Sequence, residues 1–171
     1  MHKNIISQQA IYSGEVKMPA GFEIDSLEMA KDILESSYTD EKVPFSRTWD
    51  RLNKFIKEHI RVKFDLTLSN METWGNMYLP KDKTNPLRET DLNDLKNSPD
   101  HVCLYGIIAE DVSVRIYYND NRRQGKFIDM DLSTDKFIIF PANNFYHIEN
   151  RQNKKLNFIN IFMIEIVLGC V

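Results

Sequence analysis

The sequence predicts a mainly β protein of the α+β kind, an antiparallel jelly roll carrying an N-terminal layer of two helices. Three observations lead there. Apolar residues recur at three- and four-residue spacing in the first third of the chain, and after Arg61 they alternate with polar ones. Turn-forming clusters then cut the alternating part into about eight short strands. No helical stretch separates these strands, which disfavours a parallel α/β sheet.

Taken in order, Ala10–Val16 reads as a short strand. The first helix is expected to start at Asp25 or Ser26, either of which can accept hydrogen bonds from the free amides of a first turn. Leu27, Ala30, Ile33 and Leu34 then form one apolar stripe. Pro44 and Ser46 punctuate the start of the second helix, where Trp49, Leu52, Phe55, Ile56 and Ile60 share a face and Arg51, Lys54, Lys57 and Glu58 face water. Both stripes read as packing faces that cover a sheet. Val62, Phe64, Leu66 and Leu68 alternate with charged and polar residues as in a half-buried strand. Further strands are expected at Thr73–Leu79, Val102–Ala109, Val112–Tyr118, Phe127–Leu132, Lys136–Phe140, Tyr146–Glu149 and Leu156–Leu168. Clusters such as Asn119-Asp120-Asn121, Ser133-Thr134-Asp135 and Asn150–Asn153 supply the turns. Pro80 to Pro99 is the exception, a long polar stretch with three prolines; loops of this length in compact domains usually serve a binding or active-site role.

The chain of 171 residues has the length of one domain. We expect residues 1–171 to form a single unit, with a helical N-terminal segment over 1–60 and a β core over 61–171. Hydrophobic residues at 42% and charged residues at 27% are ordinary for a globular protein. With 22 Lys and Arg against 25 Asp and Glu, the formal charge of −3 lacks the basic footprint of a nucleic-acid binder. The longest apolar run, Ile159 to Gly169, is interrupted by Asn160 and Glu165 and is too short to span a bilayer. The first residues carry no secretory pattern. These features predict a protein that is not secreted and has no nucleic-acid or membrane partner. Its partner is then a substrate, another protein, or a second copy in a homo-oligomer.

The search for chemistry starts from what is missing. The six glycines fit neither phosphate-binding spacing, and no nucleophile elbow occurs. The two cysteines, Cys103 and Cys170, build neither a disulfide framework nor a zinc cluster, and Cys103 sits in an apolar strand as a small buried side chain. Of the four histidines, His2 is terminal and His59 ends a helix, which leaves His101 and His147 at strand edges. A mononuclear iron site needs two imidazoles and a carboxylate with open positions. His101 has no carboxylate two residues on. The nearest acidic pair, Glu89 and Asp91, lies in the long polar loop, where side chains two apart project the same way if the backbone is extended and can grip a hard cation. The alternative is a solvated acidic loop. Arg122-Arg123 and Lys154-Lys155 read as turn charges or as an anion clamp.

Three segments together resemble a known family: ETWGNMYLP, SPDHVCLYGIIAEDVSVRIYYNDNRRQGKF and FIIFPANNFYHIENRQNKKLNFINIF. Their order, over about residues 70–165, is similar to the double-stranded β-helix, a cupin-like jelly roll, of the 2-oxoglutarate/Fe(II)-dependent oxygenases. Within that family it resembles the small prolyl-hydroxylase-like proteins of contractile-tailed cyanophages, and the resemblance implies a location in the host cytoplasm or the virion. The resemblance implies iron(II) and 2-oxoglutarate as cofactors if the site is active. The family's His-x-Asp pair follows the strand that here reads WGN-Y, and the comparable stretch here is Glu89-Thr90-Asp91. The distal iron histidine of the family falls five residues after the proline of its FP pair; counted from Pro141, that position is Tyr146, with His147 one further. Strand alternation puts Tyr146 and Ile148 on one face and His147 on the other, unless a bulge shifts the register. The basic residue that holds 2-oxoglutarate lies about ten residues on, in the region of Lys154 and Lys155.

Two readings follow. In one, the protein is an oxygenase or hydroxylase whose metal is held by Glu89, Asp91 and His147, with Tyr146, Lys154 and Lys155 at the co-substrate; no further catalytic residue is assigned. In the other, the His-x-Asp…His motif is degenerate and the jelly roll is a non-catalytic binding or virion-associated module.

Overall fold

A computed structural model of the chain describes residues 8–18, 47–119 and 125–167, with residues 25, 27, 28, 31 and 34 placed individually. The elements are β1 (Tyr12–Glu15), α1 (Arg47–Phe64), β2 (Thr67–Tyr78), β3 (His101–Ile108), β4 (Val112–Tyr118), β5 (Lys126–Leu132), β6 (Lys136–Pro141), β7 (Tyr146–Asn150) and β8 (Asn157–Val167). They form two antiparallel sheets, a five-stranded one in the order β1-β6-β3-β8-β2 and a three-stranded one in the order β5-β4-β7. The architecture is therefore mainly β and jelly-roll-like. Among the described residues no helix is long and apolar enough to cross a membrane.

Two apolar layers follow from the alternation along the strands. Val102, Leu104, Ile138, Phe140, Ile159, Ile161 and Met163 of the large sheet face Val112, Val114, Ile116, Tyr146 and Ile148 of the small one. Trp74 and Phe140 are both buried between the sheets. The opposite parity of the large sheet, Cys103, Tyr105, Phe137, Ile139, Phe162 and Ile164, receives Leu52, Ile56 and Ile60 of α1, all three fully buried. Arg51, Lys54 and Glu58 are exposed on the far side of the helix. A buried polar contact adds direction to this packing, since Asn160 Nδ2 donates to Asn53 Oδ1 at 2.7 Å. Helix and sheet thus meet in one register.

Two expectations need correction. The alternation over 62–68 does not mark a strand start: α1 continues through Phe64, and Val62 is exposed on its last turn. Arg61 and Lys63 suit a helix C-terminus, and Asp65 ends the helix in the left-handed region at φ 55° while its amide still reaches the Arg61 carbonyl. Thr67 and Leu68, the end of the strand expected at Val62–Leu68, open β2, which continues into the strand expected at Thr73–Leu79 with an irregularity between Asn70 and Glu72. Where the first helix is expected, Asp25 Oδ1 accepts the amides of Leu27 and Glu28 at 3.0 Å each, and Leu27 and Leu34 are exposed. Ser26, Ala30, Ile33, Pro44, Ser46 and Arg122-Arg123 lie outside the described residues.

One glycine is required by close approach. A side chain on Gly106 would run into the Ser133 carbonyl, where the β5–β6 turn crosses β3. The Asp135 amide donates to the Gly106 carbonyl at 2.9 Å across this junction.

Candidate functional site

The polar stretch after β2 is what turns two packed sheets into a container. Its side chains carry no alternation, but its backbone runs along β7. Lys83 pairs with Glu149 and Leu87 with Tyr146 in antiparallel bridges. Leu87 and Tyr146 exchange both amide-to-carbonyl bonds at 2.9 Å, the Thr84 amide donates to the Ile148 carbonyl at 3.0 Å, and Thr84 Oγ1 accepts the Ile148 amide at 2.9 Å. The segment so extends the small sheet by one irregular strand and brings Glu89 inward.

Behind it lies a cavity of about 250 Å³. Alternation in β2 supplies Trp74, Asn76 and Tyr78; β7 supplies Tyr146 and Ile148; β8 supplies Ile161; the polar segment supplies Thr84, Leu87 and Glu89. Tyr146 OH donates to Glu89 Oε1 at 2.8 Å, and Asn76 Nδ2 donates to Tyr78 OH at 3.3 Å. Burial pushes the Tyr78 phenol up to about 12, with the Glu89 charge adding to the effect and the Asn76 bond opposing it. The Tyr146 phenol is driven far above the ordinary range by burial and then by Glu89. Both phenols therefore keep their protons at neutral pH. The Tyr146 ring is wedged edge-on against Phe140, with centroids 5.0 Å apart.

Of the six site residues expected from sequence, the structure brings Glu89 and Tyr146 together and leaves the others elsewhere. Asp91 is exposed, and its Oδ1 accepts the Asn93 amide at 2.8 Å in a local turn. His147 projects from the opposite face of β7. The β4–β7 register runs from Val112↔Asn150 to Ile116↔Tyr146 without a shift, so no bulge turns the imidazole inward. It lies instead against Tyr117, with Nδ1 3.2 Å from the hydroxyl. Lys154 and Lys155 are exposed in the turn after β7, and Lys155 is ion-paired to Glu110. Asn76 and Tyr78 were not anticipated as site residues. Their signal is an amide and a phenol at the inward parity set by Trp74.

This cavity does not fit the iron centre that the resemblance implied. It offers one carboxylate, two protonated phenols, an amide and an engaged hydroxyl, but no imidazole. Among the described residues no three His, Cys, Asp or Glu side chains converge as a metal-binding group. Among the described residues the lining holds no cation for a dianionic co-substrate, and the inward residues Ile159, Ile161 and Met163 of β8 are apolar.

Two imidazoles, one buried and one half-buried, give the chain a pH dependence of its own. His147 is held below its ordinary value by desolvation and by Lys83 and Arg115, against Glu149 and Asp129. Desolvation likewise lowers His101, whose Nδ1 has no partner among the described residues, against the pull of Asp100. A depressed folded-state value means that the unfolded chain binds protons more readily, so this stability is present above about pH 6.5 and is lost as the pH falls. Thermal melts from pH 7.5 to 5.5 should show this decline, and it should flatten in the His101→Gln/His147→Gln double variant. An unchanged slope in the variant would assign the decline to other groups.

No protein-family model and no curated protein matches the chain. Solved structures match by shape. AviO1 from Streptomyces viridochromogenes Tue57 has a TM-score of 0.56 at 10% identity, covering 91% of this chain and 89% of its own. A prolyl-4-hydroxylase from Pseudomonas putida has a TM-score of 0.52 at 11% identity, covering 91% and 88%. An oxidoreductase of the 2OG-Fe(II) oxygenase family from Burkholderia pseudomallei has a TM-score of 0.53 at 8% identity over 72% of this chain, which spans 58% of the oxidoreductase's length. At these identities the likeness is one of fold: the chain is similar to the jelly roll of 2-oxoglutarate/Fe(II) oxygenases.

Proposed function

We propose that the chain is an oxygenase-like jelly roll that works as a binding module, its interior cavity taking a small organic ligand where its structural relatives perform iron chemistry. The observation that carries this reading is the Tyr146–Glu89 hydrogen bond. A protonated phenol occupies the position that the family resemblance assigns to the distal iron ligand, and its hydroxyl is spent on the acid that would be a second ligand. A phenol kept protonated by burial is a hydrogen-bond donor and a poor metal ligand. The cavity has the mixed character of a ligand site, apolar walls with a few convergent polar groups. Glu89 and Tyr146 are its polar centre; Asp91, His147, Lys154 and Lys155 take no part.

Anaerobic addition of Fe(II) and 2-oxoglutarate is expected to give no visible charge-transfer band, and 2-oxoglutarate is expected to persist on admission of air. A band that disappears in Glu89→Ala would restore the oxygenase reading.

A further inference from the structure

We propose that the interior cavity selects organic cations, specifically ammonium ions borne on an apolar or aromatic body; this rests on reading the cavity as a binding site. Glu89 brings a carboxylate into a lining that holds no cation among the described residues. Among the described residues no ion pair reaches it, and Tyr146 is its one hydrogen-bond donor, to Oε1. Oε2 is left to a ligand. Glu89 is half-buried, and a carboxylate set beside apolar walls favours a partner of opposite charge.

The walls point the same way. Trp74, Tyr78 and Tyr146 are three aromatic side chains on one cavity, and the electron-rich faces of such rings attract ammonium groups, with Trp the strongest. Leu87, Ile148 and Ile161 complete an apolar lining for the body of the ligand. An anion would meet the Glu89 charge, with no cationic side chain among the described lining residues to offset the repulsion. A neutral ligand would gain the walls but leave the carboxylate without a counter-charge. Carboxylate and aromatic rings together therefore discriminate by charge.

The test titrates the full-length chain with benzylammonium, benzyl alcohol and benzoate, which share a ring and differ in charge, by calorimetry and by tryptophan fluorescence. Benzylammonium is expected to bind roughly tenfold or more tighter than benzyl alcohol, and benzoate more weakly than either. In Glu89→Gln the preference should collapse, so that ammonium and alcohol bind alike. Equal binding of ammonium and alcohol by the wild type, or stronger binding of benzoate, would overturn the cation assignment while leaving a binding cavity in place. Silence from all three would overturn both the assignment and the binding-module reading. If Glu89→Gln fails to fold, the wild-type ranking of the three probes decides the matter alone.

Discussion

Phe140→Ala is expected to lose about 3–5 kcal/mol of folding stability, the range for removing a large aromatic from a closed core. Phe140 is fully buried on β6 between the two sheets, and its ring supports Tyr146 edge-on. Truncation leaves a void bounded by rigid strands, which cannot collapse to fill it. Chemical denaturation with an unchanged m-value is the measurement, and a midpoint shift worth less than about 1 kcal/mol would mean that the sheets do not close as described. The same variant should loosen the phenol that holds Glu89, so a ligand-binding defect should accompany the loss of stability.

Asn150→Ala should be nearly as damaging although it removes few atoms. Asn150 is fully buried at the end of β7, and its Nδ2 lies within hydrogen-bond distance of the carbonyls of Tyr78, Leu79 and Lys155, at 3.2, 2.9 and 3.0 Å. Its Oδ1 accepts the Gln152 amide at 3.0 Å. One side chain therefore ties the end of β2 to the turn between β7 and β8. A buried polar group left without a partner costs about 1–3 kcal/mol, and several are exposed at once here, so a loss of roughly 3 kcal/mol is expected. Asn150→Asp is the informative companion, since it keeps the acceptor and places oxygen against the carbonyls; it should be at least as unstable. Near-native melting of either variant would show that water takes over the role of the amide.

Most of the β framework was readable because alternation is a direct print of burial. Val112–Tyr118 is found with the expected ends, and Lys136–Phe140 and Tyr146–Glu149 each extend by one residue. The parity along Tyr146, His147 and Ile148 sufficed to place the imidazole outside, because the register beside β4 is continuous. The end of α1 was misread for a physical reason: charged residues of a last helical turn, followed by the first residues of a strand, imitate period two. The segment after β2 was harder. It joins the small sheet through amides and carbonyls, which no side-chain pattern records. Glu89 could be singled out as an acid near a second acid, but its partner in space is Tyr146, 57 positions away, and no local spacing announces that meeting.

Apart from the Thr84 hydroxyl, this segment is attached to β7 through main-chain groups, which has a consequence for how such a protein diversifies. Amides and carbonyls do not depend on residue identity, so the stretch around Leu87 to Glu89 can exchange its side chains without dismantling the strands beneath it. Selectivity and foldability are thereby carried by different parts of one polypeptide. New specificities can be explored on the wall while the frame stays constant.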